Sequence, residues 1–290
     1  MELFGGNISD NSKKLYLSNI KRLNGNVIPK STGFLGKFDK INSIIDKYSN
    51  NTKKSYYISI VSYLKGKKVP KKTKDYWIDK MNSSNKEFLE RSDEKTEKQK
   101  ENWIEWGEVL DIHKKMGETL PKKASTEKEY LKCLSYLVLS LYVLIAPRRV
   151  RDYAEMLVVP EYKETMSKEN NYLDVKNKKF VFNTYKTKGA YGQQVENIPK
   201  DLFDILKKMS IPKEKNFDPI EMVLTYTGKK PAGNYITRLL NNVFDKNVSA
   251  SMLRNIYVSH KLGKSKNETK ELAKEMGSSV NVLQNVYNKE

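Results

Sequence analysis

Residues 171–199 read NYLDVKNKKFVFNTYKTKGAYGQQVENIP. Two extended runs flank the turn-like KNKK, a pattern that predicts a β-hairpin. QQVENIP supplies a third strand and completes a small sheet before KDLFDILKKM returns to helix. The rest of the chain reads as helix, so the expected class is mainly α with a small antiparallel β-sheet (α+β).

Upstream of the hairpin, residues 128–145 form a long helix that carries the apolar run YLKCLSYLVLSLYVLIA. Lysine and serines interrupt it and APRRVRD ends it, so it reads as a buried core helix rather than a membrane span. Downstream come the helical GNYITRLLNNVFDK, SASMLRNIYVSHKLG and NETKELAKEMG, then a terminal segment with Tyr287 near its end.

The first half has a simpler grammar. SDNSKKLYLSNIKRLNG opens on capping residues, sets Tyr16, Ile20 and Leu23 on one face, and stops at Gly25. GKFDKINSIIDKYSN repeats this with Ile41, Ile44, Ile45 and Tyr48, and NTKKSYYISIVSYLKG with Tyr57, Ile60, Val61 and Leu64. Lysines line the other faces, and KGKKVPKKTK follows as a basic loop. From Arg91 to Glu101 the apolar face disappears, as expected of a polar linker or exposed helix. Helical spacing resumes through Trp103, Trp106, Leu110 and His113. Two domains follow, residues 1–95 and 96–290, with no internal repeats.

The chain has 290 residues, 38% of them hydrophobic, enough for packed cores. Its 54 Lys and Arg against 35 Asp and Glu leave +19, an excess that points to a polyanion, nucleic acid above all. A generally lysine-rich proteome is the blander source of the same excess. The single cysteine, Cys133, allows no disulfide framework and fits a reducing, intracellular setting. The N-terminus lacks the basic and apolar regions of a signal peptide. Two histidines and one cysteine cannot build a standard zinc site, and no GxxxxGK[ST] loop is present. No metal or cofactor is expected.

Cationic residues set in apolar sequence mark where chemistry could sit. LYVLIAPRRVRDY places Arg148, Arg149 and Arg151 just after a buried helix, with Asp152 three residues past Arg149, a spacing at which a carboxylate can orient an arginine. Arg254 stands between Leu253 and Ile256 on an otherwise apolar helix, where an unpaired charge is costly. It is either paired to a carboxylate or aimed at an anion. Lys186 and Lys188 enter a hairpin loop. Arginines to grip oxygens, a lysine to give a proton and a serine, cysteine or tyrosine nucleophile would together make a phosphodiester site.

The order Arg, Lys, Arg, Tyr resembles the tyrosine recombinases, the phage-integrase family. APRRVRDYAEM looks like their first arginine box, aligning Arg149 with Asp152. FVFNTYKTKGAYGQQVENIP resembles their lysine-bearing hairpin, SASMLRNIYVSHKLG their HxxR box with Arg254, and MGSSVNVLQNVY their final box ending in Tyr287. The N-terminal helices are similar to the family's helical, SAM-like core DNA-binding domain, and the second domain to its catalytic domain. The resemblance implies a C-shaped clamp on double-stranded DNA that self-associates there, dimer to tetramer. Tyr287 would form a 3′-phosphotyrosyl bond, Arg149 and Arg254 would grip the phosphate, and Lys186, or Lys188 as second choice, would protonate the leaving 5′-oxygen. Arg148, Arg151, Lys13, Lys14, Lys53 and Lys54 become candidate DNA contacts. The implied setting is intracellular with access to DNA, in the nucleus or cytoplasm of a host, and the implied role is integration of mobile or viral DNA, with no membrane partner.

Two departures bear on activity. Ser251 stands where HxxR has histidine, and Ser278 where the last box has histidine or tryptophan. A serine can donate to a phosphate oxygen but is no base near neutral pH. Only NKE follows Tyr287, leaving little to pass to a neighbouring protomer. The rival readings are a binding-only descendant of a recombinase and a type IB topoisomerase-like strand swivel.

Overall fold

The structure is a computed structural model and describes Phe4 and residues 8–90, 95–261 and 266–287. The expected linker core at 91–94 and the NKE terminus lie outside the described residues. The chain divides into two compact units, Met1–Ser92 and Asp93–Glu290, each with its own apolar core.

The first unit holds α1 (Asp10–Leu23), α2 (Phe38–Ile45), α3 (Asn50–Leu64) and α4 (Lys71–Glu90). Ser9 caps α1 by accepting from the Ser12 amide, and the left-handed Gly25 lies just past its end. Ile20, Leu23, Ile41, Ile45, Ile60 and Leu64 are buried together as their helical spacing requires. Helix α4 departs from expectation, because the basic loop ends at Pro70 and KKTK is already helical. Its core-facing residues, Thr73, Tyr76, Trp77 and Met81, are few and set among lysines, too sparse a pattern to stand out in sequence. Trp77 is fully buried and donates from Nε1 to the Leu35 carbonyl at 2.9 Å.

In the second unit, α5 (Glu97–Asn102) and α6 (Trp106–Glu118) lead to α7 (Glu127–Val143). Thr96 with Gln99 and Thr126 with Glu129 form capping boxes at the starts of α5 and α7. Helix α7 is the buried core helix expected, and among the described residues no helix is long and apolar enough to cross a membrane. Short α8 (Val150–Ala154) leads into the sheet, built from β1 (Met156–Val159), β2 (Asn171–Asp174), β3 (Lys179–Phe182), β4 (Gln194–Asn197) and β5 (Ile220–Glu221) in the order β4-β3-β2-β1-β5. The hairpin pairs Leu173 with Phe180, and β4 pairs Val195 with Val181, both antiparallel as expected.

One pair corrects the antiparallel expectation. Strand β1 runs parallel to β2, Val158 opposite Leu173, so the sheet is mixed. The apolar run MLVV has no alternation because it is buried almost throughout, so sequence alone does not separate it from helix. Around the sheet lie α9 (Lys188–Tyr191), α10 (Lys200–Met209), α11 (Tyr235–Phe244), α12 (Ala250–Lys261), α13 (Lys266–Glu275) and α14 (Val280–Val282), which runs into a π-helical turn at Leu283–Tyr287.

Trp77→Ala should destabilise the first unit by about 3–5 kcal/mol, whereas Trp77→Phe, which keeps a ring but orphans the Leu35 carbonyl, should cost about 1–3 kcal/mol. Urea unfolding followed by circular dichroism would measure both.

Candidate active site

The site is organised by the carboxyl end of α13. That helix closes in a Schellman turn: Gly277 is left-handed at φ 55°, its amide donates to the Lys274 carbonyl, and the Ser278 amide donates to the Ala273 carbonyl. A Cβ on Gly277 would lie 2.6 Å from Arg148 Nη2, so only glycine fits. The carbonyls of residues 274–277 are each taken by a side chain from elsewhere. Gln194 Nε2 donates to Lys274 at 2.8 Å, Arg148 Nη1 to Glu275 at 2.9 Å and Arg254 Nη1 to Met276 at 3.5 Å. Arg149 Nη1 and Thr187 Oγ1 both donate to Gly277, each at 2.6 Å. Cations are favoured there because the helix dipole leaves negative charge at its carboxyl end. Ser279 then accepts from the Val282 amide and starts the segment that ends at Tyr287.

The arginines of APRRVRD separate sharply. From sequence Arg148 belongs among DNA contacts; in the fold it is 0% exposed. Its guanidinium donates to Asp152 Oδ2 at 3.3 Å, Glu196 Oε1 at 2.8 Å and Gln194 Oε1 at 2.9 Å, and lies over the Phe182 ring. Burial raises the Asp152 and Glu196 pKa values, and the nearby Arg148 charge opposes both shifts. Asp152 thus pairs with Arg148, one helical turn back, and not with Arg149. Arg151 is exposed and binds Glu155 through Nε and Nη2. Arg149 is half-buried at the start of α8 and turns toward Gly277.

Arg254 is 1% exposed. Its Nη1 donates to the Pro147 carbonyl at 3.0 Å, while Nε and Nη2 have no hydrogen-bond partner among the described residues. The Tyr287 ring lies over the guanidinium, 4.6 Å from its centroid. Burial pushes Arg254 below its ordinary pKa; Tyr287 opposes the shift and the neighbouring Arg149 charge adds to it. Ser278 Oγ is likewise buried without a partner among the described residues. Buried donors in that condition are costly, and an oxyanion is the ligand that would satisfy them.

The other expected residues are less gathered. Lys186 and Lys188 are exposed in the β3–β4 connection, on either side of Thr187. Ser251 is exposed in the first turn of α12. In the first unit Lys13 lies 4.0 Å from Asp10, Lys14 is exposed, Lys53 binds Asp46 at 3.0 Å, and Lys54 lies over the Phe88 ring with its pKa lowered by burial. His113 stacks on Tyr136 and meets Ser140 Oγ at 2.8 Å, and burial lowers its pKa, a setting that marks it as structural. No cluster of metal-ligating side chains occurs among the described residues. Gln194, Glu196 and Thr187 are absent from the sequence-derived site. The available signal was the polar pair Gln194 and Glu196, two apart on a strand and so on one face.

No family model matches the chain, and no curated protein matches it. Among solved structures it is similar to a crystal structure of XerA recombinase, with 11% identity over 97% of this chain and 87% of that one, and a TM-score of 0.43. A likeness of that size carries no functional weight, so the reading of function rests on the site.

Arg148→Met should cost about 3–5 kcal/mol near neutral pH, because Asp152 and Glu196 lose their buried cation. Carboxylates whose folded pKa is raised are tolerated when protonated and penalised as pH rises through that pKa. The deficit against the unsubstituted chain should therefore shrink toward about pH 4 in thermal unfolding scans.

Proposed function

We propose that the chain breaks and rejoins DNA through a covalent bond between Tyr287 and a 3′-phosphate, as tyrosine site-specific recombinases do. The observation that carries this reading is the buried Arg254 guanidinium, with Nε and Nη2 unpartnered among the described residues, beside Arg149 and under the Tyr287 ring. Two neighbouring guanidinium groups, neither hydrogen-bonded to a carboxylate among the described residues, make a receptor for a phosphodiester, and the planar fork suits its paired oxygens.

In the proposed step Tyr287 Oη attacks phosphorus and its proton passes to solvent. The bond from phosphorus to the 5′-oxygen breaks, and a lysine of the β3–β4 loop gives that oxygen a proton. Arg149 and Arg254 stabilise the charge gathering on the non-bridging oxygens, and Ser278 Oγ adds a donor where the family has histidine or tryptophan. A second 5′-hydroxyl reverses the step on another strand. The phosphotyrosyl bond keeps the energy of the original linkage, so the cycle calls for neither metal nor nucleotide. The helical first unit would serve as the core DNA-binding domain, with protomers associating on duplex DNA to exchange strands. Integration of mobile or viral DNA, inside a cell, is the role this chemistry fits.

A second reading has its own support. Ser251 is exposed, no histidine has taken its place, and the Tyr287 ring covers Arg254. A binding-only protein would keep the arginines and lose the chemistry.

Tyr287→Phe separates the two. Protein mixed with DNA in EDTA and denatured in detergent should yield protein-linked fragments only when Tyr287 is intact, with binding in gel-shift assays unchanged. Specific binding without adducts from the unsubstituted chain would favour the second reading.

The proton donor is tested with DNA carrying sulfur in place of the bridging 5′-oxygen, since a thiolate leaves without a proton. Lys186→Ala should slow adduct formation on ordinary DNA by about 10²-fold or more and be restored on the sulfur substrate. Restoration for Lys188→Ala instead would move the role there.

A further inference from the structure

We propose that Thr187 is a positioning residue, whose hydroxyl fastens the lysine-bearing loop to the Gly277 carbonyl so that proton donor and tyrosine segment reach the phosphate as one unit. The inference rests on the function proposed above and adds to it how the lysine is placed.

Thr187 occupies the position before α9 where a threonine would ordinarily cap the helix, yet it makes no capping bond. Its Oγ1 instead donates to the Gly277 carbonyl at 2.6 Å, ninety residues away in the chain. That carbonyl also accepts from Arg149 Nη1 at 2.6 Å, so both lone pairs are engaged. One oxygen thereby ties together a phosphate-binding arginine, the loop and the turn that leads to Tyr287.

The base of the loop is held separately. The buried Asn171 side chain donates to the Asp152 and Thr184 carbonyls and accepts from the Asn183 and Thr184 amides, using its full hydrogen-bonding capacity on backbone. Loss of the Thr187 hydroxyl leaves this clasp in place. The loop would keep its root while Lys186 and Lys188, which flank Thr187, lose their register against the turn. A displacement of about 1 Å at a reacting group costs on the order of 10²-fold in rate.

The test compares adduct formation by the full chain and by Thr187→Val and Thr187→Ser, on DNA with oxygen or with sulfur at the bridging 5′ position. Thr187→Val should be slowed about 10²-fold on oxygen and return to within about threefold of the unsubstituted chain on sulfur, where no proton is needed. Thr187→Ser, which keeps the hydroxyl, should behave normally on both. Equal slowing of Thr187→Val on both substrates would overturn the proposal, since Thr187 would then act on the phosphate, the nucleophile or the fold. Normal rates on both would overturn it too. If the unsubstituted chain forms no Tyr287-dependent adduct on either substrate, the proposed function fails and this inference with it.

Discussion

The last carbonyls of a helix have no partner within it, and at the end of α13 that general deficit becomes the organising contact of the second unit. Lys274, Glu275, Met276 and Gly277 offer carbonyls to Gln194 of β4, to Arg148 and Arg149 at the start of α8, to Arg254 of α12 and to Thr187 of the loop before α9. Sheet, core helices and loop therefore converge on one turn. The turn is possible only because Gly277 takes a left-handed backbone and leaves room for the Arg148 guanidinium. The segment that carries Tyr287 starts from this anchored point.

Charge is balanced unevenly around that turn. Arg148 is neutralised by Asp152 and Glu196 and sits against Phe182, so its role is to hold the interior together. Arg149 and Arg254 have carbonyls for company and no carboxylate bonded to either among the described contacts. Leaving Arg254 donors buried and unpaired costs stability, and a polypeptide tolerates such a cost where a ligand will later remove it. The same local excess of positive charge that burdens the free protein would favour a bound phosphodiester. In the proposed reaction the chain's overall +19 would help bring DNA to it.

Ser278 and Ser251 have different surroundings. Ser278 is buried beside the arginines with an unpartnered hydroxyl, while Ser251 is exposed on α12. A hydroxyl at 278 can contribute a hydrogen bond to an oxyanion, but neither serine supplies a base at neutral pH. Charge stabilisation by the arginines must then carry more of the rate in the proposed reaction than it would beside a histidine.

Much of the molecule was legible in the amino-acid order. Apolar residues at helical spacing marked α1, α2, α3 and α7, and the KNKK turn marked the β2–β3 hairpin. Arg149, Arg254 and Tyr287 stand out in the sequence, and the fold sets Arg254 near Arg149 and under the Tyr287 ring. Strand β1 escaped because a strand buried almost throughout loses its alternation, and α4 because its few core-facing residues are scattered among lysines and other polar residues. The roles of Arg148 and Arg149 were decided by tertiary structure alone. A carboxylate three or four residues along a helix serves either arginine equally well on paper, since both spacings share a face. Both arginines nevertheless precede α8, and the extended backbone at Arg149 turns adjacent side chains to different sides. Which of them entered the core depended on Glu196 and Gln194 arriving from a strand some forty-six residues later, and no local spacing records that arrival.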